Sequence, residues 1–162
     1  MARDTSSMVI PSFYTCDSES RLKSEPATLP FASRSQAPIS GESEIISNLF
    51  IGDLQDAARF NGMIISVLPD PMPGEPDRTI RIPFLANGRA TLDSTAALID
   101  AALFRGLRVL VHCEEGCERA PLTVAWFLKT RRGITLDEAY ALLKSRRPII
   151  RDRRAWLGIY GR

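Results

Sequence analysis

The stretch LRVLVHCEEGCERAPLTVAWFLK, residues 107–129, contains two apolar runs flanking a short segment dense in reactive side chains. The first run, ending at His112, is continuous, as expected of a strand buried on both faces. The second predicts a helix over Ala120–Arg131, with Pro121 in its first turn, where proline is tolerated. Between them lie Cys113, Glu114, Glu115, Gly116, Cys117, Glu118 and Arg119. A strand that ends where a helix begins must fold its backbone back sharply, and Gly116 eases that turn. The loop amides then point into one hollow, with the positive end of a helix behind them, which is an anion site.

That field favours the nucleophilic, ionised form of sulfur at Cys113. Arg119, six residues on, offers a planar guanidinium suited to two oxygens of one phosphate. Nucleophile, amide cradle (Glu114, Glu115, Gly116, Cys117, Glu118) and cation converge on a tetrahedral dianion. The implied reaction is attack of sulfur on phosphorus, giving a cysteinyl-phosphate that water hydrolyses.

His112-Cys113 followed by Arg119 is an HC-x5-R motif, and the segment 106–150 around it resembles the dual-specificity phosphatases of the cysteine-based protein tyrosine phosphatase superfamily. The segment ISNLFIGDLQDA, with Asn48 and Gly52, resembles that family's entry strand and turn, so the resemblance spans about residues 44–157. It implies Cys113 as nucleophile, Arg119 as phosphate and transition-state ligand, and His112 as a supporting group that orients the loop. No metal or cofactor is implied.

Two positions depart from the family pattern. Ala120 stands where a Ser or Thr hydroxyl normally assists breakdown of the phosphoenzyme, so a slow second step is expected. The loop LANGRATL (85–92) lacks the usual general-acid aspartate. Asn87 lies near that place and is no such acid. Asp93 is a candidate, although an N-cap role for the following helix is the alternative; Asp70 and Asp77 are further candidates. The loop also resembles that of rhodanese-fold cell-cycle phosphatases, which makes Glu115 or Glu118 a possible acid, with solvent-facing charge as the alternative. Without a general acid, aryl phosphates should react and alkyl phosphates hardly at all. Glu114, Glu115 and Glu118 disfavour polyanionic substrates. A phosphatase acting on phosphotyrosine, with phosphoserine and phosphothreonine as secondary substrates, on a phosphorylated protein or small aryl phosphate, is therefore expected. The competing readings are a pseudophosphatase that binds a phosphorylated protein with little turnover, and a sulfur-transfer domain. Cys117 offers a disulfide partner for oxidised Cys113, or simply packs under the loop.

Outward from the motif, apolar runs at 63–69 and 79–84 predict strands, and short strands at 44–47 and 49–51 pivot at Asn48. A proline- and glycine-rich loop occupies 69–77. The spacing of Leu92, Ala96, Ile99 and Leu103 predicts a helix from about Ser94 to Arg105. A Thr135–Glu138 capping box opens another helix, running to about Ser145. Buried strands separated by helices define an α/β fold, a single domain with a central, mainly parallel sheet flanked by helices. The 162 residues, 44% hydrophobic and 25% charged, suit one globular domain at residues 42–162. Residues 1–41, rich in Ser and Pro, read as a flexible arm. The net charge of +2 and three cysteines suggest no nucleic acid partner and a reduced, cytoplasmic compartment. No apolar run is long enough for a membrane span, and a monomer is expected. From Lys144 to Arg162 seven Lys/Arg face one Asp, read as a solvated surface or as a positive rim for an anionic substrate.

Overall fold

A computed structural model describes residues 41–84 and 87–159. The Ser/Pro-rich arm, apart from Gly41, lies outside the described residues. In chain order the elements are β1 (Ser43–Ile46), β2 (Leu49–Gly52), α1 (Leu54–Arg59), β3 (Met63–Ser66), β4 (Ile80–Arg81), α2 (Arg89–Phe104), β5 (Val109–His112), α3 (Arg119–Arg132), α4 (Leu136–Arg146) and α5 (Trp156–Ile159).

The five strands form one sheet in the order β1-β2-β5-β3-β4. β1 and β2 are antiparallel, and every other pair is parallel. The β1–β2 turn pivots at Asn48, whose φ of 66° is a left-handed conformation that Asn tolerates. Side chains on a strand alternate between faces, and burial follows that alternation. Leu49, Ile51, Ile65, Val109 and Val111 enter the large core shared with α2, α3 and α4. Phe50, Ile64 and Leu110 face the other way and pack with Ala57 and Phe60 around α1. Both faces of β5 are thus covered, which explains the uninterrupted apolar run.

The capping box of α4 is present: the Glu138 amide donates to Thr135 Oγ1 at 3.2 Å, and the Thr135 amide to Glu138 Oε2 at 2.8 Å. These bonds hold the Glu138 carboxyl below its usual range. Three expectations need correction. α2 begins at Arg89, well before Ser94, with Gly88 at the N-cap and no side-chain cap. Asp93 therefore lies inside the helix and does not cap it. The strands at 63–69 and 79–84 are shorter than the apolar runs. Past Arg81 the pairing continues only as isolated bonds, from the Ile82 amide to Ser66 O and the Phe84 amide to Val67 O, because Pro83 has no N–H to donate.

Candidate active site

The register of the sheet places the motif. Gly52, His112, Ser66 and Arg81 are paired in one row across β2, β5, β3 and β4. His112 is the last residue of β5, so Cys113 leaves the sheet at its carboxyl edge, between two neighbouring strands. This is where α/β sheets bind ligands. Arg119 is the first residue of α3. Cys113 and Arg119 are 3% and 7% exposed, so the two ends of the loop are both drawn into the protein.

The loop between them is held from outside by its carbonyls. His112 O accepts from the Val67 amide at 3.1 Å, Glu114 O from Leu54 at 3.3 Å and Cys117 O from Arg151 at 2.9 Å. Gly116 O accepts from Arg147 Nε at 3.2 Å, and Glu118 O from the Leu122 amide at 3.1 Å. In a trans peptide the carbonyl and the following N–H point in opposite directions. The amides of Glu115, Cys117 and Glu118, which follow the carbonyls held by Leu54, Arg147 and Arg151, therefore point away from those partners. Gly116 adopts φ +66°, and a Cβ there would lie 2.5 Å from Gly52 O. Only glycine fits against that neighbouring strand.

Of the basic residues in the C-terminal region, Lys144 and Arg146 are exposed, whereas four arginines are committed to partners. Arg147 is buried, 1% exposed, and besides Gly116 it reaches Gly41 O at 2.9 Å and Ser43 Oγ at 3.3 Å. Arg153 and Arg151 converge on Glu118 Oε1, at 2.9 Å from Arg153 Nε and 3.5 Å from Arg151. Arg154 pairs with Asp152 and Asp137. Arg147, Arg151 and Arg153 thus brace the loop.

Of the acid candidates, Glu118 is buried and committed to Arg151 and Arg153. Asp93 Oδ1 accepts from the Trp126 indole at 2.7 Å, which ties it to α3 about 10 Å of helix rise beyond Arg119. Glu114 and Glu115 are exposed, and Glu115 Oε2 accepts from Cys117 Sγ at 3.6 Å. Asp70 and Asp77 are exposed on the proline-rich loop. Ala120 is fully buried in the first turn of α3. Among the described residues no group of three or more His, Cys, Asp or Glu side chains is placed to hold a metal ion, and no helix is long and apolar enough to cross a membrane.

His112 is fully buried, with Nε2 3.1 Å from Glu75 Oε1 and Nδ1 3.4 Å from Cys113 O. Burial lowers its pKa, against the opposing pull of Glu75. Glu75 resists burial through bonds from Ser66, Arg81 and the Met72 amide, which together keep its carboxyl below the usual range. Neither Glu75 nor Arg81 was singled out by the sequence, because the turn carrying Glu75 meets His112 only through the β3–β5 pairing. A histidine whose folded pKa is depressed favours the native state least where the unfolded chain alone takes up the proton. Stability should therefore fall as pH drops below 6.5, toward the folded value. Urea midpoints at a series of pH values check this; a midpoint that rises on acidification through that window contradicts it.

The dual specificity phosphatase catalytic domain family matches residues 78–159. Dual specificity protein phosphatase 8 of Mus musculus is 32% identical over 153 residues, covering 83% of this chain and 23% of that protein. Dual specificity protein phosphatase 1 of the same species is 30% identical over 132 residues, covering 73% of this chain and 36% of that protein. The chain thus spans about a quarter to a third of the length of these relatives. The crystal structure of a human DUSP28 variant superimposes with a TM-score of 0.64 at 25% identity, covering 74% of this chain and 93% of that one. A mostly parallel sheet whose central strand delivers an HC-x5-R loop defines a cysteine-based phosphatase fold. The chain belongs to the dual specificity phosphatase family.

Proposed function

We propose that the protein hydrolyses phosphate monoesters through a cysteinyl-phosphate, and that phosphotyrosyl proteins and aryl phosphates are its preferred substrates. The observation that carries this reading is the loop itself: its carbonyls are held by Leu54, Arg147 and Arg151 from three other parts of the chain, and Cys113 and Arg119 stand at its two ends. Inward amides and a guanidinium stabilise the charge that accumulates on the equatorial oxygens as Sγ attacks. The S–P bond forms as the P–O bond to the leaving group breaks, and water later displaces sulfur to release phosphate.

The commitments of Glu118 and Asp93 support the aryl preference. A phenolate departs with little protonation, whereas an alkoxide needs an acid. The test compares phosphotyrosyl and phosphoseryl peptides of the same sequence. Faster hydrolysis of the phosphotyrosyl peptide supports the reading; equal rates, or no release from either, sink it.

The buried methyl group of Ala120 provides no hydroxyl for the second step. Rapid-quench kinetics with para-nitrophenyl phosphate should show a burst of nitrophenol followed by slow turnover. Ala120→Ser should raise the steady-state rate and shrink the burst.

A further inference from the structure

The turn that carries Glu75 is the least structured part of the domain by composition, with four prolines and a glycine in residues 69–77. Its geometry is nonetheless specific. The Glu75 amide donates to Met72 O at 3.1 Å, and the Met72 amide donates back to Glu75 Oε2 at 3.2 Å. This clasp turns the carboxylate inward until its side chain is 3% exposed. Oε2 also receives Arg81, the β4 residue in the same sheet row as His112. Oε1 and His112 Nε2 lie 3.1 Å apart in a charge-pair contact, and neither atom has a hydrogen-bond partner among the described residues.

We propose that Glu75 is a positioning residue of the phosphatase site, accepting the Nε2 proton of His112 and thereby fixing the tautomer and orientation of the ring behind Cys113. The assignment rests on the reading of Cys113 as nucleophile. The proton logic follows from what each neighbour can do. An ionised carboxylate and a carbonyl only accept, so a neutral ring satisfies one of them. Glu75 is the nearer and the charged acceptor, so the proton sits on Nε2. Nδ1 then faces Cys113 O without donating, and that carbonyl is left unpolarised. Arg81 balances the charge of Glu75, so the pair adds no net negative charge behind the sulfur. The other charges around the loop come from different elements: Arg119, Glu114 and Glu115 of the loop itself, Glu118 with Arg151 and Arg153, and Asp56 with Arg59 and Arg147.

The single histidine of the chain gives an unambiguous reporter. In Glu75→Gln, the Met72 amide and Arg81 both donate at the Oε2 position, which forces the amide oxygen there and points the NH2 at His112 Nε2. The ring must then carry its proton on Nδ1 and donate to Cys113 O. Long-range 1H–15N correlation spectra of the wild-type chain should show the Nε2–H tautomer, and those of Glu75→Gln the Nδ1–H tautomer. With para-nitrophenyl phosphate, kcat should fall about tenfold with KM little changed, the rate equivalent of one misplaced charge-assisted hydrogen bond. An unchanged tautomer in Glu75→Gln overturns the proposal, as does a flipped tautomer with unaltered kcat. Arg81→Met provides a second arm. It should keep the Nε2–H tautomer and raise the titration midpoint of His112, because Glu75 is left uncompensated and the opposing charge of Arg81 is gone. An unmoved midpoint there overturns the proposal even if Glu75→Gln fails to fold. The spectra need no substrate, so an inactive wild-type chain would sink the phosphatase reading separately from the Glu75–His112 assignment.

Discussion

Cys113→Ser is expected to lower turnover of para-nitrophenyl phosphate by at least roughly 10³-fold, because the hydroxyl is not ionised near neutral pH and is the poorer nucleophile. The substitution is nearly isosteric at a position only 3% exposed, and no loop carbonyl contact depends on the sulfur. The loop should therefore persist, and inorganic phosphate should still bind within a few-fold of the wild-type affinity. Arg119→Ala provides the contrast. It removes the cation at the start of α3, so it should weaken phosphate binding as well as lower kcat by about 10²–10³-fold. Steady-state kinetics and isothermal titration with phosphate distinguish the two patterns. Residual hydrolysis in Cys113→Ser at more than a few per cent of wild type would remove the nucleophile from the mechanism.

Arg147→Ala is expected to have the largest effect on stability, a loss of about 3–5 kcal/mol in urea unfolding. The side chain is 1% exposed and bonds Gly116 O, Gly41 O and Ser43 Oγ. Truncation leaves a cavity and strips the buried Gly116 carbonyl and the half-buried Gly41 carbonyl of their donor. It also removes the positive charge that opposes the effect of burial on Asp56, whose carboxyl is raised chiefly by desolvation. The activity should fall with the stability, because Gly116 O is one of the anchors that turn the loop amides inward. Arg147→Lys should recover only part of either loss, since one ammonium cannot span three acceptors spread over the loop and β1. A variant with unchanged unfolding midpoint and unchanged kcat would show that the brace contributes nothing.

The division between the two arginine predictions reflects what a linear sequence encodes. Arg119 was legible because motif, strand and helix are contiguous. A continuous apolar run, a glycine and a proline in the first helical turn are local signals, and they sufficed to place Cys113 at a strand end and Arg119 at a helix start. The Thr135–Glu138 capping box was legible for the same reason, as was the pivot at Asn48.

Asp93 shows where local signals mislead. Followed by a run at helical spacing, it reads first as a cap and second as an acid, yet α2 starts at Arg89 and the carboxylate meets the indole of Trp126 on another helix. Glu118 reads as solvent-facing charge or as an acid, and is instead buried against Arg151 and Arg153, more than thirty residues away in the chain. Nothing within a few positions of either residue specifies those partners.

By itself, therefore, the sequence determined the α/β class, the sheet-edge position of the HC-x5-R loop and the placement of Cys113 and Arg119 at its two ends, because each depends on hydrophobic period and turn chemistry between neighbours in the chain. Only the tertiary structure decided what holds the loop open and what stands behind it: the Arg147 brace, the Glu118 anchor and the Glu75–His112 contact. Those pairings arise from strand order and helix packing, which bring together residues 31 or more positions apart, and burial then makes each polar group require the partners within its reach.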